Sequence, residues 1–276
     1  GSPCLDKGLN SANTSSTDLA GNARIQNEII DMGAYEGSFA RLPNTLYVDI
    51  NAVGDGSGSS WTNAFASLQT ALNAAADGDV IKVADGIYKP TATTDRTISF
   101  ILRHGVSIEG GYAGYGASIP DDRNLSLYPT ILSGDIGAEG TQSDNSYHVV
   151  IATSVDSSTV LDGVTITLGN ADGSGTNQSI GGGMLNISSQ PTLNTCVFSG
   201  NMALDGGGIY NKNASPKLIQ CDFNGNHAMY GGGMYNYYSS PNLVSCLFDG
   251  NASYSDDDDG YGGGMYNKNS SPTVAS

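Results

Sequence analysis

The sequence predicts an all-β fold, a right-handed parallel β-helix of roughly eight or nine coils with a short N-terminal capping helix. Three observations predict it. The string GGGMLN at Gly181 returns as GGGIYN at Gly206 and GGGMYN at Gly231 and Gly262, at spacings of 25, 25 and 31 residues. A fixed period in that range marks stacked structural units. Apolar types also recur at fixed places in each copy: Met184, Ile209, Met234 and Met265; Leu193, Leu218 and Leu243; Cys196, Cys221 and Cys246; Phe198, Phe223 and Phe248. Cys and Phe stand two apart and so face one side of a strand, whereas the residue between them varies (Val197, Asp222, Leu247) as an outward position allows. Finally, the pieces between the glycines are short β-favouring segments punctuated by Gly, Asn, Ser and Pro. One copy alone buries too little apolar side chain to offset the entropy of ordering its backbone. Stacked ~4.8 Å apart, the copies pair their strands and pile like side chains into columns. The handedness of parallel crossovers gives a right-handed turn.

Taken from the N-terminus, residues 1–40 differ from the coils that follow. GSPCLDKG, TDLAGNARI and DMGAYEG resemble the closing segment of a preceding β-helix module in bacterial surface proteins. Among their charged members Asp6, Asp18, Arg24, Asp31 and Glu36, the expected role is an Arg24–carboxylate contact that pins a cap. Residues 41–45 read as a linker around Pro43. Residues 46–130 hold the N-terminal cap and the first irregular coils. Within them Ala64 to Ala76 places Phe65, Leu68 and Leu72 on one helical face, and Trp61 together with that helix is expected to cover the open end of the stack. Asp77-Gly78 stops the helix, and Val80 to Val83 and Ile87-Tyr88 read as the first strands. The stretch TLYVDINAVGDGSG through ADGIYKP resembles the N-terminal cap of pectin-lyase-like β-helices. A solenoid needs such a cover because a bare end offers unpaired strand edges.

Thr97 to Ile108, Pro129 to Leu132, His148 to Ile151 and Val160 to Leu168 read as further irregular coils, with long loops between them. Residues 131–276 carry the regular coils. Asn186, Asn211, Asn236 and Asn267 make one asparagine column, and Asn201, Asn226 and Asn251 a second. Stacked amides hydrogen-bond along the axis and to backbone at the bends. The glycine triplets supply backbone shapes that other residues resist. Ser276 falls one residue before the next cysteine of its column is due. An open last coil, with a closing segment at the front, leads to the expectation of head-to-tail self-association, a contact that does not close on itself and gives fibres.

A formal net charge of −16, with only four glutamates among 27 acids, argues against nucleic acid and anionic lipid as partners. No apolar run approaches a membrane span, so no membrane insertion is expected of this segment. Three of the four cysteines share one column of the repeat. They are expected as free, buried space-fillers, because a parallel ladder aims neighbouring side chains the same way.

Catalytic chemistry finds little support. Polysaccharide lyases of this fold use an Arg or Lys base beside calcium-holding carboxylates. Here no arginine follows Arg123, and the repeat region's cations are Lys212, Lys217 and Lys268. Glycoside hydrolysis needs two carboxylates at a set separation; Asp121-Asp122 offers a pair without further signature. His104, His148 and His227 show no metal-ligand spacing. An enzyme, if present, is expected to use the loops from Tyr112 to Tyr147. Asp256, Asp257, Asp258 and Asp259 form an acid run for which Ca²⁺ is the natural partner, and a solvated loop is the plainer reading. No cofactor is required.

The exposed feature expected to bind is aromatic. Leu185, Tyr210, Tyr235 and Tyr266 follow the inward Met/Ile column by one residue and so face outward. With Tyr230, Tyr237, Tyr238 and Tyr261 they predict a stripe able to shield strand backbone, and able also to stack on sugar rings or on another molecule. The pairing of FSGN, FNGN and FDGN with GGGI or GGGM resembles the repeats of chlamydial polymorphic outer-membrane proteins. That resemblance implies a secreted or cell-surface, non-enzymatic structural or adhesive module with surface glycans or proteins as partners. The alternatives are a β-helical polysaccharide lyase or hydrolase, and a calcium-dependent carbohydrate-binding module.

Overall fold

The computed structural model describes residues 16–17, 42–254 and 261–276. The chain divides into two compact units, Gly1–Leu42 and Pro43–Ser276. The expected Arg24 contact and the acid run Asp256–Asp259 lie outside the described residues.

The second unit is a right-handed parallel β-helix. Among the described residues every ladder between strands is parallel, each strand bonding to the equivalent strand one coil away, and the single antiparallel contact is the isolated bridge Tyr112–Arg123. The longest sheet has eight strands, from Thr45–Val48 through Val80–Ala84 to Asn242–Val244 and Thr273–Ala275. A second runs from Gly86–Tyr88 to Leu247–Asp249, a third from Phe100–Ile101 to Met265–Lys268, and four two-residue strands, Asn170–Ala171 to Ala252–Ser253, make a fourth. Eight layers in the first sheet match the coil number expected from the period. The registers put like over like: Phe198 pairs with Phe223 and Phe223 with Phe248, and Met184 pairs with Ile209, Ile209 with Met234 and Met234 with Met265.

The core follows from those columns. Phe198 and Phe223 are fully buried and stack at 4.9 Å, and Phe223 stacks on Phe248 at 4.5 Å, with the ring planes nearly parallel. Each coil thus supplies the surface on which the next one packs. Cys196, Cys221 and Cys246 of the column are free thiols, the first two buried. Cys196 Sγ donates to Leu161 O at 3.3 Å and Cys221 Sγ to Leu193 O at 3.5 Å. The hydrogen bond with the Cys196 thiol, with burial behind it, pushes the Cys221 thiol well above its ordinary range.

Both asparagine columns form as ladders. Asn186 Nδ2 donates to Asn211 Oδ1 at 2.9 Å, and Asn211 and Asn236 each donate onward at 2.8 Å. Asn201 and Asn226 do the same one column away, and each also donates to a core carbonyl. The first ladder ends at Asn186, because the neighbouring coil carries Ala152 in that register; Asn186 Oδ1 is therefore left without a donor. In the triplets, Gly206 sits at φ 65°, and a Cβ on Gly208 would meet Gly233 O at 2.4 Å, so no larger residue fits between the coils.

The cap departs from expectation in two ways. The helix is shorter, Leu68–Ala74, with Leu68, Ala71 and Leu72 in the core. Phe65 is extended instead and bridges to Val48, because pairing with the first strand satisfies its backbone. Trp61 does not cover the stack. It packs outside the tube against Tyr47 at 4.9 Å and against Tyr112 and Ala84. Its indole N–H donates to Asp121 at 3.3 Å, a polar tip that the stack's apolar end would leave unpaired.

Candidate functional site

The tyrosine column has the predicted direction but not the predicted exposure. Met184 lies in the inner core while Leu185, Tyr210 and Tyr235 form a separate outer cluster. Tyr210 and Tyr235 stack at 5.0 Å and are only 7% and 6% exposed. Tyr210 and Tyr235 are therefore packed over the strands rather than open to solvent, contrary to the expected exposed stripe. What covers them is the residue just before each glycine triplet, a column of Ile180, Asp205, Tyr230 and Tyr261 bridged in parallel. The left-handed glycine after each of these residues turns the chain sharply, and the side chain before the turn lies back over the tyrosines. Tyr230 stacks on Tyr261 at 4.9 Å and leans on Tyr266 at 5.3 Å. Tyr266 and Tyr237 are half-buried, and Tyr238 is exposed.

This outer cluster holds a misplaced charge. Burial raises the Asp205 carboxyl to about 6, against the opposing pull of Lys268. Burial, followed by the Asp205 charge, raises the Tyr210 hydroxyl to about 12. In its column Asp205 stands between Ile180 and Tyr230, which explains the missing partners: its neighbours one coil away are apolar or aromatic.

A cleft that the sequence did not reveal opens on the sheet of two-residue strands. Its volume is about 540 Å³, and Gln142, Ser143, Asp172, Ser179, Leu204 and Tyr254 are among its lining. The Tyr254 ring is 49% exposed, and its hydroxyl donates to Ala203 O at 3.1 Å, two coils back, which lays the side chain along the wall. Burial, then the Asp172 charge, raises the Tyr254 hydroxyl above its ordinary value. Opposite, Arg96 fastens the rim. It pairs with Asp172 at 2.6 Å, donates to Asn145 O at 2.6 Å and Asn170 O at 2.9 Å, and lies 4.3 Å over the Tyr147 ring. Asn170 Nδ2 donates to Gln142 O and to Asp172, both at 3.0 Å. The arrangement is an aromatic face beside a pre-positioned carboxylate and amide, with the Gln142 and Ser143 side chains exposed on the same wall.

Among the described lining residues Asp172 is the one carboxylate, whereas glycoside hydrolysis uses two at a set separation. Asp121 and Asp122 diverge. Asp121 takes Lys82 at 2.7 Å, whose hydrogen bond holds its carboxyl below the usual range, the reverse of a general acid. Asp122 accepts from the Tyr128 hydroxyl at 3.2 Å. His148 is buried, with Nδ1 2.9 Å from Gly181 O, and burial lowers its pKa. His104 lies 3.3 Å from Asp156 and 3.8 Å from Asp77, an exposed set that adjacency in sequence could not have indicated. Among the described residues no three His, Cys, Asp or Glu side chains are placed to hold a metal, and no helix is long and apolar enough to cross a membrane.

The coil from Thr195 to Lys212 carries Cys196, Phe198, Asn201, Gly206 and Asn211, one member of nearly every column. Residues 195–212 match the Chlamydia polymorphic membrane protein repeat. The matched segment thus spans the residues that build one coil, its thiol, ring, amides and glycine turn, together with Met202, Ala203 and Leu204 of the cleft wall. No curated protein matches the chain. Among solved structures, a rhamnogalacturonan lyase is similar at 12% identity and a TM-score of 0.39, over 84% of this chain and 62% of the lyase chain.

Proposed function

We propose that this chain is a non-enzymatic module of a bacterial cell-surface or secreted protein and that it acts in adhesion, holding a carbohydrate in the cleft beside Tyr254. The observation that carries this reading is the partly exposed Tyr254 ring beside Asp172, whose carboxylate Arg96 and Asn170 hold in place before any ligand arrives, with Gln142 and Ser143 on the same wall. A sugar ring offers an apolar face for the tyrosine and hydroxyls for the rim, and pre-positioned partners lower the ordering cost of binding. The match of residues 195–212 to a repeat of Chlamydia polymorphic membrane proteins supports a surface setting. The acidic surface, with a net charge of −16, favours neutral or amine-bearing glycans over sulfated or uronic ones.

Glycan-array binding by the intact chain, repeated with Tyr254→Ser, tests the reading. Binding to a defined set of glycans that is lost in the variant is expected. No binding, or binding that Tyr254→Ser leaves unchanged, refutes it. A parallel screen for unsaturated products or new reducing ends, if positive, overturns the non-enzymatic part.

A further inference from the structure

Buried oxygens without hydrogen-bond partners are few among the described residues, and most of them crowd into one loop. Asp135 Oδ1, Asp144 Oδ1, Asn145 Oδ1 and Ser146 Oγ all fall between residues 135 and 146. Asn186, the end of its ladder, and Gln69 on the capping helix supply the others. Asp135, Asn145 and Ser146 are 7%, 3% and 0% exposed. Buried polar groups in folded proteins are normally satisfied, so four orphans in one loop call for a partner.

Backbone hydrogen bonds tie both acids to the same loop. Ser146 N–H donates to Gly134 O at 2.8 Å and closes the neck. From opposite sides of that neck, Asp135 Oδ2 accepts from Gly140 N–H at 3.2 Å and Asp144 Oδ2 from Ala138 N–H at 2.8 Å. Both carboxylates are thereby turned into the loop, each with its second oxygen buried and unused. A Cβ on Gly137 would fall 2.3 Å from Asp144 Oδ2, so the loop backbone lies directly on that carboxylate. Among the described residues neither acid has an ion-pair partner. Arg96 reaches this loop at the Asn145 backbone carbonyl, and its ion pair is with Asp172.

We propose that this loop is a calcium site, with the carboxylates of Asp135 and Asp144, the amide oxygen of Asn145 and the hydroxyl of Ser146 as its side-chain donors. The donor set is all oxygen and mixes charged with neutral groups, which suits Ca²⁺ and disfavours the thiolate- and imidazole-seeking metals. A dication there would offset the two carboxylates and give the four orphaned oxygens a common partner. The site stands independently of the glycan reading, although its loop carries Gln142 and Ser143 of the cleft wall.

Calorimetric titration of the chelator-stripped chain with CaCl₂ tests the site. A saturable heat is expected. It should weaken by on the order of 100-fold or more in Asp135→Asn/Asp144→Asn and persist when Asp256, Asp257, Asp258 and Asp259 are all replaced by Ser. No heat in the unaltered chain overturns the proposal and leaves the orphans to a bound water. Heat that vanishes with the 256–259 variant overturns it too. A second measurement needs no variant. Glu139 lies exposed in the same loop, and a glutamate-specific protease reads its opening. Free Ca²⁺ at 100 times its Kd should slow cleavage after Glu139 by on the order of 100-fold, the factor by which ligand depletes the open form. An unchanged cleavage rate overturns the site.

Discussion

Replacing Asp205 with asparagine is expected to stabilise the β-helix at neutral pH and to change little near pH 4. In the folded state burial holds the carboxyl at about 6, whereas its ordinary value is 3.8. The folded state therefore keeps the proton over a pH range in which the unfolded chain releases it. Stability associated with protonated Asp205 is complete below the unfolded value and is lost as pH rises through the folded one. At 1.36 kcal/mol per unit, the difference corresponds to at most about 3 kcal/mol. Asp205 is only half-buried, so solvent screening reduces this to about 1–1.5 kcal/mol. Asparagine keeps the shape and never ionises. Urea unfolding of both proteins at several pH values from 4 to 8 isolates the effect, because every other carboxylate cancels in the difference. The gain should appear between pH 4 and about 6.5 and stay level above. A variant no more stable than the parent at pH 8, or a difference as large at pH 4 as at pH 8, would refute the reasoning.

Other predictions follow from the columns. Phe223→Ala should cost about 4 kcal/mol in equilibrium unfolding, since it empties a fully buried site between two stacked rings. Leu247→Ala, in the same sheet but 55% exposed, should stay within about 0.5 kcal/mol. Cys196 and Cys221 should resist a thiol reagent until the chain unfolds, because both are buried and the Cys221 thiol is held protonated; rapid labelling in the native state would contradict the packing.

Much of this architecture was legible because stacking converts sequence period into space. Phe198, Phe223 and Phe248 lie in one axial row, and the two asparagine columns bond as ladders, since a residue and its equivalent one coil on are forced into register. The tyrosine column shows where that reasoning stops. Period and alternation place Tyr210 and Tyr235 on the outer face, but they carry no information about a side chain folded back from the preceding turn, and it is Asp205 and Tyr230 that decide the exposure. Trp61 misled for a similar reason: a large apolar ring suggested the stack's end, while its N–H found Asp121, far away in sequence.

The sequence by itself determined the solenoid, its coil number, the identity of its core columns and the free state of the column cysteines, all of them consequences of a repeat that contacts only its neighbours. Only the tertiary structure decided which surfaces are open. The cleft joins Gln142, Asp172, Leu204 and Tyr254 from different coils, and the loop site joins Asp135 to Asp144 through backbone hydrogen bonds. Neither obeys the period, because both are built where irregular loops leave the stack and meet residues that no spacing rule relates.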